Sequence, residues 1–319
     1  MDLMIIRGDL SAEVPDTNAF HWSLEEHSEM STEDVLLYGY NASNNKEFAE
    51  LYSAYKRKAY FNNWAPCEFA QKREKDGHDA LTKEIFFDEV YSICPYANKW
   101  LNSLDLGRKY KDIFYPFHPK LIPPPHEKEY DVIYHGGLHG QEHLDGLRTM
   151  LSFNYRFCSM STHINDLTAQ CLRYATNIDL SFQKKINLIA KSKISVGYNI
   201  VHIRPEHIPE IKSYDRWNEN EAFSEIEGWN IMPQFKTRAH EAAISKTLNL
   251  IMRDKWNIIE RYYEPDKEFI YFNDDDDLRE KITMIINDWE DYEQIVENAY
   301  QKAMNYTTDK FIEKIKRDI

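Results

Sequence analysis

Residues 231–282 alternate between polar loops and apolar runs of helix or strand length, and this order constrains the fold more than any other stretch. The predicted elements are, in chain order, a helix led by residues 240–243, a strand over 248–252, a strand over 269–272 and a helix starting at 274–277. Acidic residues suit the start of that last helix, because the free N–H groups and the macrodipole of a helix N-terminus favour negative charge. Helices that alternate with strands are typical of a parallel sheet, so we predict an α/β fold.

The loop at the start of this segment is basic, although the whole chain carries a net charge of −14. Between residues 231 and 253, the single acidic residue is Glu241, and the basic residues are Lys236, Arg238, Lys246 and Arg253. Lys236 and Arg238 come just before the first predicted helix, where backbone N–H groups also point at a bound anion. The pattern predicts a phosphate-binding loop; the alternative is a solvated basic loop.

The run FKTRAHEAAISKTLNLIMRD and its continuation IIERYYEPDKEFIYFNDDDDLREKI resemble the nucleotide-binding half of glycosyltransferases with the GT-B fold. The resemblance is to the group with an Arg-x-x-Glu-Ala-Ala pattern, followed by a strand and an Asp-rich helix start. It implies an α/β fold with two Rossmann-like domains facing across a cleft. In that family, basic residues bind the donor diphosphate and the glutamate binds the nucleotide ribose or the donor sugar. Carried over, Lys236 and Arg238 take the phosphate positions and Glu241 takes the ribose position.

One position departs from the pattern of this family. Many retaining members have a second glutamate eight residues before the Glu-Ala pair, and this sequence has Pro233 there. The contacts to the donor sugar and the choice between a retaining and an inverting reaction therefore stay open. For a Glu241 that binds ribose, we expect Glu241→Gln to leave the melting temperature nearly unchanged and to weaken nucleotide binding.

A proline-rich run, YPFHPKLIPPP at residues 115–125, gives the clearest domain boundary. Five prolines in this run cannot continue a helix or a central strand, so we predict a linker. The predicted domains are 1–122, on the acceptor side by the resemblance, and 123–309, which binds the nucleotide sugar. We predict that a terminal helix over 310–319 returns toward the first domain, as it does in GT-B proteins.

A strand and a glycine turn follow the linker in the run EYDVIYHGGLHGQEHLDGL. The adjacent residues Gly136 and Gly137 allow a close backbone approach to a ligand or to the facing domain. The run is not GxGxxG, which argues against a nicotinamide enzyme. In GT-B proteins this turn lies beneath the donor phosphates, so we predict that both glycines bind the donor and that His139 contacts phosphate or sugar. His139, Lys236 and Arg238 form the predicted catalytic set.

A second strand of the same half is predicted over residues 194–196, after a helix capped by Asp179 or Ser181. It resembles the family strand that approaches the nucleobase. Asn199 follows this strand, and we predict that it binds the nucleotide; the alternative is a turn residue.

No metal site is predicted from the sequence. His135, His139 and His143 recur every four residues, but the intervening glycines break a common helical face and no fourth ligand is spaced for zinc. The aspartates at 274–277 predict the start of a helix and not a metal-binding motif at the end of a strand. We therefore expect metal-independent chemistry, in which Lys236 and Arg238 stabilise the leaving diphosphate.

Composition excludes several other classes of protein. The acidic net charge argues against nucleic acid as a partner. The four cysteines, Cys67, Cys94, Cys158 and Cys171, have no short paired spacing, which indicates reduced thiols. The N-terminal residues are too few and too acidic for a signal peptide, and no apolar run reaches membrane-spanning length. We expect a cytoplasmic protein.

The function predicted from these features is transfer of a sugar from a nucleoside diphosphate sugar to an acceptor, which is a glycan or other glycoconjugate, a lipid or a small molecule. No permanently bound cofactor is expected, and the nucleobase, the acceptor, the general base and the oligomeric state stay open. One alternative is a nucleotide-sugar epimerase of the same fold. The other is a non-catalytic protein that binds nucleotide sugars or glycans.

Overall fold

The structure is a computed structural model, and it describes residues 3–7, 35–39, 57–62 and 88–318. Gaps in the last range fall at 106, 138–139, 160–169, 171, 179, 204, 206–207, 214 and 227–228. The strands are β1 Leu3–Arg7, β2 Val35–Gly39, β3 Arg57–Asn62, β4 Glu89–Ser92, β5 Lys109–Asp112, β6 Tyr130–His135, β7 Tyr155–Ser159, β8 Asn177–Ile178, β9 Ser192–Gly197, β10 Ile200–His202, β11 Ser224–Ile226, β12 Trp229–Pro233, β13 Leu248–Met252 and β14 Ile270–Phe272. The α-helices are α1 Pro95–Ser103, α2 Gln141–Met150, α3 Phe182–Ala190, α4 Ile208–Ile211, α5 Arg238–Ile244, α6 Asp275–Asn287, α7 Trp289–Ala303 and α8 Thr308–Asp318. Short 3-10 turns occur at Pro119–Leu121, Trp217–Glu219, Ile258–Arg261 and Met304–Tyr306.

The chain divides into two compact units. The first consists of Met1–Phe117, Val201–Gln234 and Thr308–Ile319, and the second of His118–Ile200 and Phe235–Thr307. The sequence predicted different domain limits, namely 1–122, 123–309 and 310–319. These limits remain a prediction.

The first unit contains a parallel sheet of β1–β5, in which each strand pairs with the strand before it in the chain. A smaller sheet has the order β10-β12-β11, and its β11 and β12 are antiparallel. The terminal helix α8 belongs to this unit, since the backbone N–H of Thr308 donates to the carbonyl of Phe117 at 2.9 Å. Phe311 of α8 is buried and packs edge-on against Phe114.

The second unit is built on a six-stranded parallel sheet of order β14-β13-β9-β6-β7-β8. The chain first runs outward from β6 through β7 to β8, then returns to the other side of β6 and continues from β9 through β13 to β14. This reversal between β6 and β9 is the topological switch point at which open α/β sheets bind ligands. The central strands of the sheet are largely buried, as expected where helices cover both faces of a parallel sheet. The core includes Val132, Tyr134, Phe157, Ile194, Val196, Leu248, Leu250 and Phe272.

The structure confirms the predicted α/β class and most of the elements in the 231–282 segment. The predicted strand over 248–252 is β13, and the strand over 269–272 is β14 with one residue fewer. Helix α6 begins after Asp274, whose side chain accepts a hydrogen bond from the backbone N–H of Asp277 at 2.9 Å. The acidic run is therefore a helix cap, as its position indicated.

Two details of that segment were wrong. Residues 231–233 end strand β12 and are not part of a loop. Helix α5 begins at Arg238, so this residue lies in the first turn of the helix and not in the preceding loop. Arginine and alanine are good helix formers, which explains why the helix extends toward its N-terminus past the predicted start at residue 240. None of the helices in the described ranges combines the length and the apolar character that crossing a bilayer requires.

Candidate functional site

The candidate site lies in the second unit, at the carboxyl ends of β6 and β9. Strand β6 ends at His135 and is followed by Gly136, whose φ angle is +131°. Strand β9 ends at Gly197, two residues before the buried Asn199. Helix α5 contributes Arg238 to the same region through its contact with Gly136. Residues from three sequence segments therefore meet where the sheet topology favours a ligand.

The guanidinium of Arg238 packs against the glycine turn. A Cβ placed on Gly136 would lie 2.5 Å from Arg238 Nη2 and 2.8 Å from Cζ. Arg238 Nη1 donates to the hydroxyl of Tyr134 at 2.6 Å, and this hydroxyl donates to the carbonyl of Gly137 at 2.7 Å. The close approach that the glycine permits is thus made by an arginine side chain of the same unit. Arg238 and the turn form one assembly, in which both glycines hold a defined position.

Asn199 fixes the loop that carries Lys236. Its Oδ1 accepts a hydrogen bond from the backbone N–H of Lys236 at 3.1 Å. The side chain of Asn199 is buried, yet its Nδ2 has no hydrogen-bond partner in the part of the chain that the structure describes. Buried amide donors are nearly always paired, so an unpaired one next to a half-buried lysine is a candidate contact for a ligand oxygen.

Glu241 is held by a cation that the sequence reasoning missed. Lys185 of α3 places its Nζ 2.9 Å from Oε1 and 2.8 Å from Oε2 of this carboxylate. His135 Nδ1 lies 3.2 Å from Oε2, and its Nε2 lies 3.0 Å from the hydroxyl oxygen of Ser195. A carboxylate only accepts, so we assign the imidazole proton to Nδ1, with the Ser195 hydroxyl donating to Nε2. These four side chains form a continuous hydrogen-bonded chain beneath the glycine turn.

Burial sets the charge states in this network. It lowers the pKa of His135 to about 4, because the charged imidazolium is costly where the side chain is only 1% exposed. Burial alone would raise the pKa of the Glu241 carboxyl, but the Lys185 ammonium and the hydrogen bond from His135 outweigh it, so this pKa lies well below its ordinary value. At neutral pH, His135 is neutral and Glu241 is ionised.

A sequence signal for Lys185 did exist. Phe182, Lys185, Ile186 and Ile189 are all buried and follow the i, i+3, i+4, i+7 spacing of one helix face. A lysine in the middle of an apolar helix face needs a buried acidic partner. The spacing could have identified the lysine, although not its partner. Ser181 caps this helix by accepting from the backbone N–H of Lys184, as one of the two predicted alternatives stated.

The structure brings most of the predicted site residues together in two groups. Gly136, Gly137 and Arg238 form one group, and Asn199 and Lys236 form the other. Glu241 joins the first group through His135, which precedes Gly136 in the chain. His139 and Asp179 lie outside the described residues, so their predicted roles stay predictions.

Residues 181–316 match a family model described as glycosyl transferase-like, which is less than half of the 319-residue chain. Among curated proteins, none matches the chain.

Similar solved structures share the fold at low sequence identity. Anabaena HepE in complex with UDP is 10% identical with a TM-score of 0.60, and the match covers 100% of this chain and 99% of that one. A sucrose-phosphate synthase from Thermosynechococcus elongatus is 10% identical with a TM-score of 0.57, covering 89% of this chain and 72% of that one. The pneumococcal O-GlcNAc transferase GtfA, in complex with UDP and GlcNAc, is 11% identical with a TM-score of 0.54, covering 94% of this chain and 58% of that one. These structures are GT-B glycosyltransferases, and their fold is the one that the sequence resemblance implied.

Proposed function

We propose that this chain, a glycosyltransferase with the GT-B fold, uses a nucleoside diphosphate sugar as its donor and binds it at the carboxyl ends of β6 and β9. The class of enzyme rests on the family match over residues 181–316 together with the shared fold. The donor, the residues that bind it and the absence of a metal requirement are the proposal.

The observation that carries the proposal is the position of Arg238. Its guanidinium lies against Gly136 at the switch point of the sheet, where open α/β folds bind ligands. A planar guanidinium can donate two parallel hydrogen bonds to a phosphate group. Helix α5 has only seven residues, so the phosphate site depends on side chains and not on the N-terminus of this helix.

We also assign Lys236 and Asn199 to the proposed phosphate site. The loop of Lys236 is tied to Asn199, whose Nδ2 has no partner among the described residues and supplies a neutral donor for a phosphate or base oxygen. Negative charge builds up on the leaving diphosphate as the glycosidic bond breaks. Lys236 and Arg238 stabilise this charge, which lowers the barrier because the stabilisation grows toward the transition state.

Glu241 remains the proposed ribose ligand. The side chain of Glu241 is 11% exposed to solvent, although it pairs with Lys185. A carboxylate has about four lone-pair positions, and Lys185 and His135 use three of them. One acceptor position therefore remains for a sugar hydroxyl. Lys185 and His135 act as positioning residues, because they hold the carboxylate in a fixed orientation.

The solved relatives suggest which donors to test first. Anabaena HepE has been determined with UDP and with UDP-glucose, and GtfA with UDP and GlcNAc. We take UDP-sugars as the first donors for this chain and a sugar or glycoconjugate as the acceptor. The experiment is to incubate the protein with UDP-, GDP- and ADP-sugars, with and without a panel of saccharide acceptors, and to detect products by mass spectrometry.

The outcomes separate the proposed function from its alternatives. A new glycoside that appears only with both donor and acceptor supports transfer. A donor converted to its epimer without an acceptor would indicate the epimerase, and tight binding without any product would indicate a non-catalytic protein. Activity that persists in EDTA supports metal independence; loss in EDTA with recovery in manganese or magnesium would contradict it.

A further inference from the structure

A cavity lies at the edge of the same sheet that is opposite the candidate donor site. Its volume is about 960 Å³, at the large end of the range of small-molecule sites. The cavity lies at the amino ends of β6, β9 and β13, because its wall includes Lys128, Ala190 and Ser245. Helix α7 and the prolines at 123–125 complete it. In a parallel sheet this edge lies away from the candidate donor site at the carboxyl ends. We call it the amino-edge cavity.

Two residues of the wall carry a buried polar atom that has no hydrogen-bond partner among the described residues. The two atoms are Nε2 of His126 and Oγ of Ser245. Ser245 is only 4% exposed. Buried side-chain polar atoms are nearly always paired, so two unpaired ones in one wall call for an explanation. Both atoms have almost no exposed surface, so a ligand reaches them only after adjoining side chains of the wall shift. A hydroxyl group would then pair either atom, since a hydroxyl can both donate and accept a hydrogen bond.

The cations in this wall are already occupied. Lys128 Nζ donates to the carbonyls of Ala190 and Ser192 at 2.9 Å each and of Lys246 at 2.6 Å, and it lies 3.3 Å from the hydroxyl of Thr247. Burial lowers the pKa of this amine to about 7, so at neutral pH it carries only a partial charge to offer an anion. The Lys246 ammonium pairs with Glu297 at 2.7 Å and lies 4.7 Å from the ring centre of Tyr300. The glutamates of the wall, Glu127, Glu293 and Glu297, outnumber its two lysines. An anionic ligand would therefore meet a net negative wall without an available cation.

The remaining walls are aromatic and apolar. Trp289 and Tyr300 stand on α7, and the prolines at 123–125 form part of the lining. Such surfaces pack against the C–H faces of a sugar ring, because the face of an aromatic ring is negative and a C–H group is weakly positive. The carboxylates of Glu293 and Glu297 add acceptors for the sugar hydroxyls.

We propose that the amino-edge cavity binds a neutral oligosaccharide. The site is separate from the donor site and carries no reaction, so it holds a saccharide without breaking or forming a bond. This inference stands on the cavity and its polar atoms, and it does not depend on the donor proposed above.

The experiment uses the full chain labelled with fluorotryptophan and three neutral trisaccharides, namely maltotriose, cellotriose and tri-N-acetylchitotriose. The chain has seven tryptophans, and comparison with the Trp289→Phe variant assigns the fluorine NMR signal of Trp289. We expect at least one trisaccharide to shift the Trp289 signal, with a dissociation constant of about 1 mM or tighter. Saturating UDP is expected to leave this shift in place.

Variants of the wall test the role of the unpaired atoms. Ser245→Ala removes one unpaired hydroxyl and is expected to weaken saccharide binding about fivefold, which is the effect of losing one hydrogen bond. Tyr300→Ala is expected to weaken it further. Ser152→Ala is the matched control, because the Ser152 hydroxyl already donates to the carbonyl of Thr149 and Ser152 is not part of the wall.

Three outcomes would overturn the proposal. The first is that none of the three trisaccharides shifts the Trp289 signal, and the second is that UDP displaces the bound saccharide. The third is that Ser245→Ala and Tyr300→Ala bind the trisaccharide as tightly as the wild type does. Because Ser245→Ala alters a single atom without a partner among the described residues, weaker binding by this variant reports a lost contact and not misfolding.

Discussion

The carboxylate of Glu241 lies 2.8 Å from the ammonium of Lys185, and both side chains are nearly buried. The two residues are 56 positions apart in the sequence, on helices α5 and α3. An ion pair in this setting makes each charge depend on the other for its neutralisation. Ligand binding by Glu241 stays a prediction, and the structure shows that this residue also belongs to a buried ion pair.

Glu241→Gln is therefore expected to destabilise the free protein, contrary to the expectation from the sequence. Removing one partner of a buried ion pair leaves the other charge uncompensated, which costs about 3–5 kcal/mol. Urea unfolding should show a decrease of this size in the free energy of unfolding. The double variant Glu241→Gln, Lys185→Met should recover part of it, because it removes the stranded ammonium.

The exposed pair Lys191–Glu129 in the same unit provides a matched control. Its N–O distance is also 2.8 Å, but both side chains are substantially exposed. Glu129→Gln is expected to change the free energy of unfolding far less than Glu241→Gln does, because solvent screens exposed pairs. If Glu241→Gln is no more destabilising than Glu129→Gln, the buried pair has no structural role.

Gly136→Ala is expected to disturb both folding and UDP binding. The added Cβ would lie 2.5 Å from Arg238 Nη2, and the φ of +131° is a conformation that alanine rarely adopts. Gly107→Ala is the control, because Gly107 has a φ of +72° but no atom within 4 Å of the added Cβ. We expect Gly136→Ala to lower the melting temperature more than Gly107→Ala and to weaken UDP binding in calorimetry.

A double variant isolates the contribution of Arg238 to the loss of stability that is expected for Gly136→Ala. In the Gly136→Ala background, Arg238→Ala should restore part of the stability, because it removes the clash but not the backbone strain. An absence of any recovery would show that the strain alone accounts for the loss, and that the packing of the guanidinium on the turn is unimportant.

The parts of this fold that the sequence predicted are those that depend on residues close together in the chain. The limits of β13 follow from an apolar run bounded by polar residues, and the cap at Asp274 acts within its own turn. The glycine turn was also predicted, but its contact with Arg238 was not, because this contact joins segments that only the strand order β13-β9-β6 brings together. The ion pair between Lys185 and Glu241 was not predicted for the same reason.

Lys236→Ala combined with Arg238→Ala is expected to weaken UDP binding far more than uridine binding. Each charge-assisted hydrogen bond to phosphate contributes about 1.5–3 kcal/mol, so the loss for UDP should be at least about tenfold for each residue. Uridine has no phosphate and should lose little. Isothermal titration of both ligands against wild type and variant measures the difference.

The other two basic residues of the same segment serve as the control for this prediction. Lys246 pairs with Glu297, and the Arg253 guanidinium lies 4.0 Å from the ring centre of Tyr271. The variant Lys246→Ala, Arg253→Ala removes the same charge and should bind UDP as the wild type does. Equal weakening by the two double variants would mean that UDP senses only the net charge, and equal weakening of UDP and uridine would remove the phosphate assignment.

His135 is expected to make the protein less stable as the pH falls from 6.5 toward 4. Burial lowers its pKa from 6.5 to about 4 in the folded state, so in this window the unfolded chain binds more protons than the folded chain. The free energy of unfolding must then decrease as the pH falls, by at most about 3 kcal/mol for a shift of this size. Glu241 adds to the decrease only below its ordinary pKa of 4.5, where its unfolded form takes up a proton.

His135→Gln tests this assignment, because glutamine keeps an N–H donor for Glu241 but does not titrate. Urea unfolding at several pH values between 6.5 and 4.5 should show a flatter dependence for the variant than for the wild type, and the difference between the two curves removes the contribution of the other histidines. Ser195→Ala deletes the hydrogen bond to Nε2 but leaves the imidazole in place, so it should keep the pH dependence of the wild type. Parallel curves for the wild type and His135→Gln would show that His135 does not titrate with a lowered pKa, and the neutral form assigned to the network at the glycine turn would be wrong.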